Sequence, residues 1–151
     1  MKVLIGGDSA GQPLVDVLFE HLASLDGIDV TRDVPAAEDE RYAYVADRVA
    51  NAVRDERYER AVLICGTGLG VSIAANKVPG IRAALAHDTY SAERAVKSND
   101  AQILALGARV IGPELAKAVV GTYLAARYDP ASHSAANIAA IDEVDARYSS
   151  R

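Results

Sequence analysis

A chain of 151 residues, half of them apolar and a quarter charged, with a formal net charge of −5, has the size and balance of one soluble domain, expected over residues 1–151. The acidic excess argues against a sequence-independent grip on nucleic acid, which needs a basic stripe, and no apolar run is long enough to cross a bilayer. Met1-Lys2 leads straight into a strand-like run without the pattern of a secretory signal, and the lone Cys65 has no disulfide partner in the chain, so a cytoplasmic protein is expected.

Short apolar runs alternate with segments of helical period. Residues 3–5 are followed by 14–25, 28–34 by 42–53, 61–64 by 71–76, 83–86 by 91–97, and 103–106 by 114–126. Strands this short and continuously apolar are expected to be buried on both faces, and helical crossovers between them give a parallel sheet. The predicted fold is therefore α/β, a doubly wound five-stranded parallel sheet with helices on both faces. After Asp129-Pro130, Ile138, Ile141, Val144 and Tyr148 recur at helical spacing and predict a C-terminal helix with one apolar stripe. That stripe must pack on its own sheet or on a neighbouring subunit, and a dimer or larger oligomer is expected.

In an open parallel sheet a ligand sits beyond the carboxyl ends of the strands. The loops there are Gly6-Gly7-Asp8-Ser9-Ala10-Gly11 after the first strand, Cys65-Gly66-Thr67-Gly68-Leu69-Gly70 after the third, and Gly107-Ala108-Arg109 after the fifth. Gly66, Gly68 and Gly70 allow a tight turn and close approach to an anion ahead of a helix. The spacing is not that of an NTP-binding loop; Asp88, further on, could imitate the ribose-binding acid of a dinucleotide fold. Cys65 is either a base or nucleophile favoured by the helix start or a small packed hydrophobe. Asp8 is either a proton relay or a turn former; as a receiver-like phosphoacceptor it would need further acids in its loop. Arg109 is a candidate phosphate clamp or a surface ion-pair partner. His21 and His87 read as scaffold, and His133, in the polar segment before the last helix, could reach a ligand. No cluster has metal-ligand spacing, so neither a metal nor another cofactor is expected.

Together, Gly7-Asp8, the run from Ile64 to Lys77 containing Cys-Gly-Thr-Gly-Leu-Gly-Val-Ser-Ile-Ala-Ala-Asn-Lys, Gly80-Ile81-Arg82-Ala83, Tyr90-Ser91-Ala92, Asn99-Asp100 and Gly107-Ala108-Arg109-Val110 resemble the ribose-5-phosphate isomerase B / galactose-6-phosphate isomerase family. The resemblance covers nearly the whole chain. It implies an aldose-ketose isomerase of sugar phosphates with Cys65 as the enolisation base and glycine-loop amides holding a cis-enediolate. It further implies that Asp8 and Thr67 contact substrate oxygens; Ser9, Gly66, Gly68, Gly70, Val71, Ser72 and His133 are expected to line the substrate. Asn99 and Arg109 would come from the partner of a homodimer or homotetramer whose site lies at the subunit interface. Some relatives carry a carboxylate at the position of Val71; its absence here leaves the base role to Cys65.

Many pentose-phosphate members have histidine after the first-loop Asp, histidine before Asn-Asp, and two arginines near the last helix. This chain has Ser9, Ser98, Ser132 and Ala136 there. The histidine before Asn-Asp is assigned to opening a furanose ring, and a four-carbon aldose phosphorylated on its terminal oxygen has no such ring to open. Gly-Asp-Ser-Ala-Gly in the first loop and the tail from Ala140 to Tyr148 look like the family's erythritol-catabolism branch. D-erythrulose 4-phosphate to D-erythrose 4-phosphate is therefore the expected reaction. Ribose 5-phosphate or a hexose 6-phosphate is the alternative substrate, and a non-catalytic nucleotide-binding or signalling domain is the more distant alternative.

Overall fold

A computed structural model describes residues 1–37 and 40–149. Five strands form one wholly parallel sheet in the order β2-β1-β3-β5-β4. They are β1 Lys2–Gly7, β2 Asp29–Arg32, β3 Arg60–Cys65, β4 Ala83–Leu85 and β5 Ile103–Gly107. The helices are α1 Gln12–Ala23, α2 Tyr42–Arg54, α3 Leu69–Ala75, α4 Thr89–Lys97, α5 Pro113–Ala125 and α6 Ala135–Ser149.

Side chains alternate across the sheet and divide the core in two. Val3, Ile5, Val62, Ile64, Leu104 and Leu106 pack under α1, α4 and α5. Leu4, Ala61, Leu63, Cys65, Ile103 and Ala105 face α2 and α3. The central β1, β3 and β5 are buried as expected, apart from exposed Lys2 at the start of β1, but β2 and β4 are not buried on both faces. They are the edge strands, where fewer neighbours cover each residue.

Asp88 explains why α4 starts earlier than the apolar pattern indicates. Its carboxylate accepts the Ser91 N–H at 2.7 Å as an N-cap, and this bond holds its carboxyl below the ordinary range. The group that could have imitated a ribose-binding acid is committed to capping. The expected stripe of α6 is only partly covered: Ile138 is buried, whereas Ile141, Val144 and Tyr148 are exposed. Polar contacts dock this helix, with Asp142 paired to Arg82 at 2.8 Å and Asp145 accepting the Gly80 N–H at 2.6 Å.

Candidate active site

Connections from β1 and β3 leave toward opposite sides of the sheet, so the crevice beyond the ends of these neighbouring strands is the topological switch point. A cavity of about 290 Å³ opens there, lined by Asp8 and Ala10 from the first loop, Cys65, Gly66, Thr67 and Gly70 from the third, Arg109 from the fifth, and Tyr42.

Cys65 ends β3 in register with Gly107 and is buried on the α2/α3 face. Its Sγ accepts the Gly68 N–H at 3.1 Å. That amide faces the sulfur, so it stabilises negative charge on Cys65 and is unavailable to a substrate oxyanion. The arrangement depends on Gly68, whose φ of +78° is in the left-handed region. A Cβ there would stand 2.5 Å from Leu85 Cδ1 and 2.8 Å from the Leu106 carbonyl carbon. Gly70 is needed for another reason: a Cβ would meet the Tyr42 ring at 2.7 Å, so glycine lets that ring lie against the loop.

Asp8 turns its own loop as well as lining the cavity. Oδ1 accepts the Gly11 N–H at 3.0 Å, while Oδ2 has no hydrogen-bond partner among the described residues. Thr67 is exposed and its Oγ1 accepts the Leu69 N–H at 3.3 Å, leaving its hydroxyl proton free to donate. The Arg109 backbone is tied to the glycine loop, its N–H donating to Gly66 O at 3.0 Å. Its Nη1 would lie 2.9 Å from a Cβ on Gly66. The resemblance implies that Arg109 comes from a partner; here its side chain lines the cavity of its own Cys65.

His87 underlies this wall as scaffold, its Nε2 accepting the Gly107 N–H at 2.8 Å. Burial lowers its pKa from the ordinary histidine value, opposed by the charge of Asp88, and the acceptor role requires the neutral ring.

The other expected site residues lie apart from this cavity. Ser9 lines a neighbouring hollow with Gln12, Pro35 and Ala37. Val71 is wholly buried in the α2/α3 core, and the Ser72 hydroxyl donates to Ala83 O at 3.4 Å. Asn99 is exposed, with its carbonyl accepting from Arg82 Nε at 3.0 Å. His133 lines a separate cavity with Arg94, Lys97 and Arg127. Tyr42 also lines the cavity, although as the first residue of α2 its place in the sequence marks only a helix boundary and nothing local signals that its ring crosses to Gly70. Among the described residues, no group of three or more His, Cys, Asp or Glu is placed to hold a metal, and no helix is long and apolar enough to cross a membrane.

This geometry combines a cysteine sulfur, a carboxylate, a hydroxyl and a guanidinium around one small cavity. Such a set can move a proton between adjacent carbons of a hydroxylated anion.

Comparison with known proteins bears on that chemistry. A family model described as Ribose/Galactose Isomerase matches residues 3–141. The chain is similar to a D-erythrulose-4-phosphate isomerase of Pectobacterium atrosepticum, 49% identical over 131 residues, which are 85% of this chain and 86% of that protein. It is also similar to D-erythrulose-4-phosphate isomerase 2 of Mycolicibacterium smegmatis, 47% identical over 91% of this chain and 93% of that protein. Among solved structures, ribose-5-phosphate isomerase B of Clostridium thermocellum superimposes with a TM-score of 0.92 at 40% identity, covering 98% of this chain and 99% of the other.

Proposed function

This chain belongs to the ribose/galactose isomerase family, and from that premise we propose that it interconverts D-erythrulose 4-phosphate and D-erythrose 4-phosphate, with Cys65 as the base. The chain is a sugar-phosphate aldose-ketose isomerase; the tetrose and the residue roles are our reading. The observation that carries the mechanism is the Cys65 sulfur, held by the Gly68 N–H at the switch point in a cavity shared with Asp8, Thr67 and Arg109.

Starting from the ketose, Cys65 removes a proton from C1 and the electron pair moves toward O2, giving a cis-enediolate. Asp8, through Oδ2, carries the hydroxyl proton from O1 to O2. Collapse of the C1–O1 bond to a carbonyl then drives C2 to take the proton back from Cys65. Thr67 donates to a substrate oxygen, and Arg109 balances developing anionic charge. Each preorganised donor to such an oxyanion is worth roughly 3 kcal/mol.

Two features support the four-carbon substrate. The similar proteins from Pectobacterium and Mycolicibacterium are D-erythrulose-4-phosphate isomerases. Ser98 stands where a ring-opening histidine would be expected, and its hydroxyl accepts Arg94 Nε at 2.9 Å and Nη2 at 2.6 Å. A hydroxyl held this way replaces a proton-transferring imidazole with a fixed acceptor, which suits a substrate without a ring. Erythritol catabolism, a cytoplasmic location and a homodimer or homotetramer belong to the same proposal.

The test supplies D-erythrulose 4-phosphate and D-ribulose 5-phosphate separately at equal concentration and follows interconversion by NMR. A higher kcat/KM for the four-carbon substrate is expected. Preference for the pentose would overturn the reading of Ser98, and turnover of neither would overturn the tetrose assignment.

A further inference from the structure

Asp8 stands in a loop that lies directly on the backbone of β3. Gly7 is in register with Ile64, the residue before Cys65, and a Cβ on Gly7 or Gly11 would collide with the Ile64 carbonyl oxygen. Glycine at both places lets the loop settle there and brings Asp8 and Cys65 onto one cavity. It also loosens the approach to Asp8. No Cβ limits the ψ of Gly7, so the peptide plane joining it to Asp8 has more freedom than any other residue would leave it.

A side chain from the following helix restrains that plane. Gln12 opens α1, and helical side chains lean toward the amino end, so its amide reaches back to the strand it has just left. Nε2 donates to Gly7 O at 2.6 Å. The bond closes a ring around residues 8–11. Inside the ring, Asp8 O accepts the Gly11 and Gln12 N–H groups at 3.0 and 3.1 Å, and Asp8 Oδ1 accepts the Gly11 N–H at 3.0 Å. Gly7 O and the Asp8 N–H share one rigid plane, so a donor held on Gly7 O fixes the axis about which Asp8 turns its φ. With the backbone and Oδ1 both held, the unpaired Oδ2 is left with one direction. Gln12 itself lines the neighbouring hollow with Ser9, Pro35 and Ala37, and the Cys65 cavity is lined without it. Its influence on the Cys65 site therefore passes through Asp8.

We propose that Gln12 is a positioning residue of the isomerase, holding Asp8 Oδ2 at the angle from which it carries the hydroxyl proton between O1 and O2. The proposal rests on the isomerase reading above, in which Cys65 moves the carbon-bound proton and Asp8 the oxygen-bound one. It separates the two transfers. Once Cys65 has taken the C1 proton, the cis-enediolate has two ways out. It passes its O1 hydroxyl proton to O2 through Asp8 and goes on to the aldose, or it takes a proton back at C1 and returns to the ketose. A misaimed Asp8 slows only the forward route, so in D2O more ketose returns carrying deuterium for each aldose formed.

Gln12→Leu keeps most of the side-chain volume without a donor, and Gln12→Glu keeps the shape with a carboxylate that cannot donate at neutral pH. Each is expected to lower kcat about 3–10-fold, the worth of one hydrogen bond, with KM changed little. The ratio of deuterated ketose to aldose, read by NMR early in the reaction with D-erythrulose 4-phosphate, is expected to rise by the same factor. A general loosening of the fold would lower both rates together and leave that ratio alone. Asp8→Asn is expected to raise the ratio further, and adding Gln12→Leu to Asp8→Asn should then change it no more, because both act on one group.

An unchanged ratio in both Gln12 variants overturns the proposal, as does a full additional effect of Gln12→Leu on top of Asp8→Asn. Amide hydrogen exchange gives a readout that needs no substrate. The N–H groups at positions 11 and 12, which Asp8 O accepts, should exchange about 3–10-fold faster in Gln12→Leu, while those of β3 exchange as in wild type. If wild type turns over no sugar phosphate, the isomerase reading fails. The amide exchange still decides whether Gln12 holds Asp8, with faster exchange supporting the hold and unchanged exchange overturning it.

Discussion

Replacing Gly68 with Ala should damage stability and turnover together. The left-handed φ of +78° costs an L-residue about 1–2 kcal/mol, and the added methyl costs about 1–3 kcal/mol through overpacking. The Leu85 tip 2.5 Å away can turn aside, but the Leu106 carbonyl carbon 2.8 Å away is backbone of β5 and cannot. The sum, about 2–5 kcal/mol, is a large part of the roughly 5–15 kcal/mol that holds a domain together. At about 2–4 °C per kcal/mol, melting should fall by about 4–20 °C. Gly27→Ala is the control, with φ of +80° and nothing within 4 Å of its added Cβ, so only the strain applies. Calorimetry of both variants reads the contact contribution as their difference, about 1–3 kcal/mol. Displacing the Gly68 N–H from the 3.1 Å bond to Cys65 should also lower kcat about 10–100-fold, whereas Gly27→Ala should not. A Gly68→Ala protein that melts with Gly27→Ala and turns over normally would refute this account of the loop.

Arg48→Ala should cost about 1–3 kcal/mol in urea unfolding, because Arg48 holds Asp33 at 2.8 Å through two nitrogens and Glu40 at 2.7 Å. The Arg48 hydrogen bond keeps the Glu40 carboxyl below its ordinary pKa. This contribution is present above about pH 4.5 and lost as pH falls through the lower folded-state value; its absence should flatten the acid limb of the variant's melting curve. For His87, burial depresses the folded-state pKa, so the unfolded chain binds the proton first. Stability should therefore fall as pH drops below about 6.5 toward the folded-state value. Melting temperatures between pH 5 and 8 should show this slope in wild type and lose it in His87→Gln.

The parts of the fold legible in the sequence are those governed by local pattern. β1, β3 and β5 are apolar runs because covered central strands have no polar face to signal, and Cys65, Asp8 and Arg109 follow from their places at strand ends. Strand order is a matter of non-local pairing: nothing in residues 83–86 says that β4 lies outside β5. The Asp88 cap is not legible in the sequence, where an acid at a strand end could imitate a ribose contact; only the bond from the Ser91 N–H assigns it to the helix start. Tyr42 and Gly70 meet only across the α2–α3 face. Arg94 and Arg127 lie 33 positions apart and meet because α4 and α5 end at the same edge of the sheet. His133, whose place before the last helix suggests a ligand contact, stands in that separate cavity, apart from Cys65 within one chain.

The central claim is that the Cys65 sulfur moves the proton, and solvent exchange tests it most directly. Wild type and Cys65→Ala would be incubated with D-erythrulose 4-phosphate in D2O while NMR follows loss of the C1 proton signal. Wild type should exchange and isomerise; Cys65→Ala, folded by circular dichroism, should do both about 10²–10⁴-fold more slowly, the range for losing a positioned base. Wild-type exchange in the folded variant would contradict the assignment.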